Sequence, residues 1–174
     1  MPAVFIYISS LSIYGDSSGK IFEHTKPKPN TDYSRSKLMA ESTVPEGSYI
    51  LRPGTIYGQN MNRNRFISYA ANIIKTDLPL DIHNPQTQYH LVHADDIVDL
   101  AKLIISRNPE KKIYNLCNET LSKVEICNHL IDHFKSKSVI KVSSLPYKPA
   151  GHTKQFNKSS KVNRTFCNSI GDIF

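Results

Sequence analysis

"TDYSRSKLMAE", residues 31–41, is the stretch on which the fold turns. It reads as a helix over about residues 33–43, with Thr31 or Asp32 as candidate N-cap. "AVFIYIS", residues 3–9, precedes it: short, β-branched and aromatic, a strand expected to be buried on both faces of a parallel sheet. A loop rich in Gly, Ser and Pro, from Gly15 to about Asn30, joins the two. "SYILRPG", residues 48–54, is a second buried strand that Pro53 terminates. The alternation then repeats. "RFISYAANIIK", residues 65–75, is an amphipathic helix with Phe66, Tyr69, Ala70 and Ile73 on its apolar side. "YHLVHADDIVDLAKLIIS" begins as a strand and becomes a helix capped by Asp95 or Asp96, with Ile97, Leu100, Ala101, Ile104 and Ile105 as its buried stripe. "KIYNLCN" is a strand, and "LSKVEICNHLIDHFK" a helix capped by Ser122 with Glu125 completing a capping box. Strands alternating with helices predict a layered α/β domain with a largely parallel sheet.

The 174 residues suffice for one compact domain and are too few for two ordinary ones. Hydrophobic residues make up 39%, enough for a core. No run approaches the roughly 20 apolar residues of a membrane span. The start, "MPAVFIYISS", lacks a basic segment and a small-residue cleavage site, so no signal peptide is expected. Cys117, Cys127 and Cys167 form no CxxC pair and read as free thiols of a reducing compartment, which predicts a cytoplasmic protein. The formal net charge of +7 is concentrated: residues 135–164 hold eight Lys or Arg and no Asp or Glu. No aromatic residues interleave there at regular spacing to stack bases, so the segment reads as a solvated lysine-rich end, with neither nucleic acid nor membrane as partner.

Three pieces carry chemistry. "SSLSIYG" lies where the first strand ends, "YSRSK" opens the helix after it, and "LRPGTIYG" ends the next strand. Ligands of open α/β sheets sit at the carboxyl ends of strands, so all three are placed on one crevice. Tyr33 and Lys37, at i and i+4, share a helix face. A phenol with an ordinary pKa of about 10 is a poor base near neutrality, and an adjacent ammonium group favours its ionised form. The Ser10 hydroxyl could hold a substrate oxygen while the phenol moves its proton. YxxxK alone is a common coincidence on solvent-facing helices; the two flanking pieces give it weight.

The set resembles the extended short-chain dehydrogenase/reductase superfamily, in particular the NAD-dependent epimerase/dehydratase family acting on nucleotide sugars. The likeness runs from Val4 to about Asp132 and includes "HLVHADDIVDLAKLII" and "IYNLCNETLSKVEICNHLI"; "QFNKSSKVNRTF…SIGDIF" is more loosely similar. The resemblance implies the C-terminal half of a Rossmann-like, doubly wound parallel sheet with a small substrate-binding α/β lobe. Residues 1–60 would carry the catalytic motifs. Residues 61–174 would form mostly the lobe, with 90–106 returning to the sheet. It implies a catalytic set of Ser10, Tyr33 and Lys37; Tyr33, Lys37 and Pro53 at the nicotinamide end of NAD or NADP; and Ser12, Thr55 and Tyr89 at substrate positions. Thr55 stands where many relatives have asparagine, and Tyr89 where they have a phosphate-gripping arginine. Leu11 and Ser12 occupy the places where the sugar 4,6-dehydratases carry an Asp-Glu or Ser-Glu pair, which points to epimerisation or carbonyl reduction. The seven glycines form no GxxGxxG, the family's pyrophosphate cradle. The chain is therefore expected to be a truncated, catalytic half, inactive and without tight NAD binding by itself. The alternative is a non-catalytic remnant or interaction module, forming a homodimer or pairing with a complementing chain.

Other clusters read as structure. Glu125, His129 and His133 recur along one helical face, the wet side opposite Val124, Ile126, Leu130, Ile131 and Phe134. His90 and His93 fall on opposite faces of a strand. No metal is expected at either. "SSGK", residues 17–20, lacks the spacing of a phosphate loop and reads as surface, and "RNPEKK" as a charged turn.

Overall fold

The computed structural model describes residues 4–15, 17, 19–143, 154–156 and 164–172. Its strands are β1 (Ile6–Ile8), β2 (Gly19–Ile21), β3 (Tyr49–Pro53), β4 (Thr55–Tyr57), β5 (Leu80–Ile82), β6 (Gln88–His93), β7 (Ile113–Leu116), β8 (Glu119–Ser122), β9 (Ile140–Val142) and β10 (Lys154–Phe156). Its α-helices are α1 (Asp32–Glu41), α2 (Phe66–Ile74), α3 (Ala94–Arg107), α4 (Lys123–Phe134) and α5 (Phe166–Ser169), and a 3-10 helix spans Leu11–Tyr14. The fold is mixed α/β with parallel sheets. β1, β3 and β7 form one parallel sheet in that order, Tyr7 facing Ile50 and Arg52 facing Asn115. β4, β6 and β8 form a second, with β4 parallel and β8 antiparallel to β6. β2 pairs with β10 and β5 with β9, both in parallel.

Two main cores follow from this layout. Leu100 and Ile104 of α3 pack on Tyr49, Leu51, Val92 and Leu116 beneath the first sheet. Ala70, Ile74, Ile126, Leu130 and Phe166 fill the second, between α2, α4 and the second sheet. β3 is buried at every residue, as its unbroken apolar run predicts. β1 departs from the same expectation. It lies at the sheet edge, bonded to β3 on one side among the described residues; Ile6 and Tyr7 are half-buried and Ile8 is exposed. An apolar run reports hydrophobicity and says nothing of what covers it.

The helices largely keep their expected spans, with shifted faces. α2 buries Ile67, Ala70, Ala71 and Ile74, while Tyr69 stands exposed. α3 buries Leu100 and Ile104 but exposes Ile105. Its N-cap is neither aspartate: His93 Nδ1 accepts from the Asp95 N–H at 3.2 Å. Asp96 is instead buried against Asn118 and Arg164. α1 is capped by Thr31 and α4 by Ser122 with Glu125 at N3. The span from Gly15 to Asn30 is not all loop: Gly19 and Lys20 of "SSGK" belong to β2. Of the basic segment and the "QFNKSSKVNRTF" tail, Lys148, Lys158, Lys161 and residues 157–163 lie outside the described residues.

Two glycines are structural necessities. Gly15 has φ +48°, and a Cβ there would lie 1.7 Å from the Lys28 carbonyl oxygen. Gly54, between β3 and β4, would place a Cβ 2.0 Å from the His90 carbonyl oxygen. Its bare backbone lets the chain pass from the first sheet into the second in direct contact with β6.

Candidate active site

The site is built from the three strand-end pieces. β1 runs straight into the 3-10 helix, and Ser10 caps it with its Oγ accepting from the Ser12 N–H at 3.1 Å. Leu11, Ile13 and Tyr14 bury the helix, which fixes Ser10 and Ser12 at the carboxyl edge of the sheet. α1 starts on a reciprocal cap. Thr31 Oγ1 accepts from the Ser34 N–H at 3.1 Å, and Ser34 Oγ accepts from the Thr31 N–H at 3.0 Å. Tyr33 therefore projects from the first turn and is 57% exposed. Lys37 lies one turn on. Its ammonium donates to the Ile8 carbonyl at 2.9 Å and sits 5.9 Å from the Tyr33 ring centre and 5.3 Å from that of Tyr7.

A cavity of about 500 Å³ is lined by Ser10, Leu11, Ser12, Tyr33, Gly54, Thr55, Ile56, Arg65, Gln88 and His90. Of the residues singled out in the sequence, Ser10, Ser12, Tyr33 and Thr55 thus share one cavity. Lys37 is anchored beside Tyr33, and buried Pro53 immediately precedes the lining residue Gly54. Tyr89 is not brought there. Its ring stacks on Phe66, centres 5.6 Å apart, against the second core, and burial raises its phenol pKa. Its neighbours Gln88 and His90 take the cavity side instead, as strand alternation requires. His90 is oriented by Thr120, Nδ1 to Oγ1 at 2.9 Å. Arg65 reaches the cavity from the N-cap position of α2. Gln88 carried no sequence signal of its own; once Tyr89 is assigned to the core, the two-residue period places it. None of the described lining residues is a carboxylic acid. The Ser12 Oγ is buried with no hydrogen-bond partner among the described residues.

Behind the cavity lies a polar network that residue-type patterns did not single out. Arg52 of β3 grips Glu41, the last residue of α1, in a two-pronged ion pair: Nε to Oε1 at 2.9 Å and Nη2 to Oε2 at 2.6 Å. The two side chains are 5% and 7% exposed. Arg52 Nη1 also donates to the Tyr14 hydroxyl at 2.6 Å and the Glu23 carbonyl at 3.0 Å. Tyr14 in turn donates to Asn115 Oδ1 at 2.9 Å. Burial opposes the Arg52 charge, yet the bonds to Glu41 and Tyr14 carry its pKa above the ordinary guanidinium value. Burial raises the Tyr14 phenol.

Comparison with known proteins gives the family and the fold. A profile of the NAD dependent epimerase/dehydratase family matches residues 1–117. The dTDP-D-glucose 4,6-dehydratase of Homo sapiens is 28% identical over 143 residues, covering 75% of this chain and 40% of that protein. The chain thus spans about 40% of the length of this curated relative. RMD from Pseudomonas aeruginosa, complexed with NADPH, superposes with a TM-score of 0.80 at 21% identity, over 97% of this chain and 64% of its own. UDP-glucuronic acid 4-epimerase from Bacillus cereus, in complex with UDP-glucuronic acid and NAD, gives 0.75 at 21% identity, over 97% and 59%. These two likenesses show the fold.

Proposed function

The chain belongs to the NAD-dependent epimerase/dehydratase family, and from that premise we propose that it is the catalytic half of a nucleotide-sugar epimerase or reductase that uses NAD or NADP. The observation that carries the reading is the convergence of Ser10, Ser12, Tyr33 and Thr55 on one cavity, with Lys37 fixed beside Tyr33. Tyr33 is the proton-transfer residue: its phenol exchanges a proton with the substrate oxygen at the carbon undergoing oxidation or reduction. The Ser10 Oγ already accepts from the Ser12 N–H, so its own proton is left to donate to that same oxygen. One Lys37 proton is committed to the Ile8 carbonyl, and two remain for a ribose hydroxyl.

The nicotinamide end of a dinucleotide fits these residues: the Lys37 ammonium group, the Tyr33 phenol and the closed surface of Pro53. Such a cofactor, when bound, supplies hydride transfer. The pyrophosphate end finds no match, because the seven glycines contain no GxxGxxG. These 174 residues by themselves are therefore expected neither to bind NAD tightly nor to turn over. Leu11 and Ser12 line the cavity directly after Ser10, which favours epimerisation or carbonyl reduction over loss of water, a step that needs an acid for the leaving hydroxyl. Among the described lining residues Arg65 is a cation available to a phosphate-bearing substrate. Three free cysteines suit a reducing, cytoplasmic compartment, and no described helix is long and apolar enough to cross a membrane.

A second reading, an interaction module that pairs with another copy or a complementing chain, rests on β1. Among the described residues it is an edge strand, with Ile8 and the preceding Val4 and Phe5 exposed, the kind of edge that recruits a further strand. One experiment separates the two. The GxxGxxG-bearing segment of a related epimerase is fused ahead of Val4, and turnover is followed with a panel of nucleotide sugars. The catalytic reading expects NAD binding, turnover, and a loss of about 100-fold or more on Tyr33→Phe. A fusion that binds NAD but never reduces it, or a Tyr33→Phe variant within a few-fold of its parent, refutes it. Dimers of the unfused chain by light scattering would then support the module.

A further inference from the structure

α1 carries the catalytic phenol but has almost no apolar anchor: Ser34 is its only buried residue, and Leu38 is half-buried. Most helices are held to a sheet by an apolar stripe. This one is held by polar contacts spaced along a single face. Tyr33, Lys37 and Glu41 recur at i, i+4 and i+8, a span of about 12 Å along the axis. Lys37 is tied to the Ile8 carbonyl, and Glu41 to Arg52. The same guanidinium that clamps Glu41 bonds the hydroxyl of Tyr14, the last residue of the 3-10 helix that Ser10 begins.

Resting on the reading of Tyr33 and Ser10 as the reacting pair, we propose that Arg52 is the positioning residue of this site. One buried side chain holds the helix bearing Tyr33 and the turn bearing Ser10 in fixed relation. Arg52 does not line the cavity and acts only through these two elements. The fork suits the task because the guanidinium is planar: one edge meets the carboxylate in two parallel bonds, and Nη1 remains for the phenol and the Glu23 carbonyl. A lysine could not make both connections in fixed geometry. Asn115, across the sheet on β7, holds the Tyr14 hydroxyl from its other side.

The inference is tested on the 174-residue chain by NMR, with no cofactor and no turnover. Arg52→Met combined with Glu41→Leu removes both charges and keeps the packing, a replacement that buried ion pairs commonly tolerate. Two signals report on the site. The Lys37 ε-methylene resonance senses the Tyr7 and Tyr33 rings, and exchange of the Ser12 amide senses the Ser10 cap. The expected result is a retained melting transition, a Lys37 signal moved toward that of free lysine, and Ser12 exchange about tenfold faster, the loss of roughly one hydrogen bond. A variant that melts as the parent does, with both signals unmoved, overturns the proposal. Should the double variant fail to fold, Tyr14→Phe decides: it leaves the Arg52–Glu41 pair intact and should speed Ser12 exchange by about tenfold while the Lys37 signal stays in place. Unchanged exchange there overturns the proposal as well. Because neither signal needs catalysis, a chain that shows both shifts but whose fused form never turns over refutes the functional reading and leaves the positioning role standing.

Discussion

Gly54→Ala is a substitution whose effect follows directly from the structure. The added methyl carbon would lie 2.0 Å from the His90 carbonyl oxygen, 2.9 Å from its carbonyl carbon and 3.1 Å from its Cβ. The obstacle is backbone in β6, the central strand of the second sheet, so no side-chain rotation relieves it. Either the β3–β4 junction or β6 must move by about 1 Å or more to restore van der Waals separation. Movement at β6 disturbs the Asn118 N–H to Leu91 carbonyl bond of 2.7 Å and the His90–Thr120 contact of 2.9 Å. Movement at the junction disturbs the Gly54 N–H to Leu116 carbonyl bond of 3.0 Å. Overpacking costs about 1–3 kcal/mol, and each strained hydrogen bond adds about 1 kcal/mol. A total near 3 kcal/mol corresponds to a fall in melting temperature of roughly 6–12 °C for a domain of this size. Urea unfolding followed by circular dichroism measures it, with the slope m as the check that both states keep their compactness. A Gly54→Ala protein within about 1 kcal/mol of the parent, with an unchanged m, would refute the argument that bare backbone contact joins the two sheets.

Thiol titration should find one fast-reacting cysteine per folded chain, the exposed Cys167. Cys117 and Cys127 should react only on unfolding, since burial raises the Cys117 thiol pKa and pushes that of Cys127 up to about 11. Three equally fast thiols in the native protein would contradict the packing of α4 and of Cys117, just past β7, against the 3-10 helix. Ser122→Ala should cost about 1 kcal/mol through loss of the α4 cap, and it should also alter the acid limb of stability. Hydrogen bonds from Ser122 hold the Glu125 carboxyl below the ordinary glutamate range. A depressed folded-state pKa contributes stability that is present above the unfolded value and lost as pH falls through the folded one. The parent should therefore lose stability more steeply than Ser122→Ala below about pH 4.3, the unperturbed glutamate value. Parallel pH profiles from chemical denaturation would show that Glu125 does not sense its cap.

Local chemistry made much of this protein legible from its residues in order. Ser122 with Glu125 settles where α4 begins, because a cap is satisfied within four residues and needs no distant partner; for α1 the sequence left Thr31 and Asp32 as alternative caps, and the structure takes Thr31. The continuous apolar run of β3 and the arrest at Pro53 are equally local. So is the shared helix face of Tyr33 and Lys37, which follows from helical spacing alone. Composition likewise determined that a core could form and that none of it was long enough to span a bilayer.

Tertiary structure decided everything that depends on which residue meets which across long stretches of chain. Tyr89 went to the core and Gln88 with His90 to the cavity, because the direction of a strand's alternation is set by what packs on each side and not by the strand itself. His93 displaced both aspartates as the cap of α3, since Asp96 found Arg164 and Asn118 far along the chain. β1 and β3 look alike as sequences, yet among the described residues one is an edge and the other is sealed. The Arg52–Glu41–Tyr14 link joins residues from three elements. A charge in an apolar strand reads as an anomaly until a fold supplies its counter-ion, and only burial in low dielectric makes that pairing obligatory.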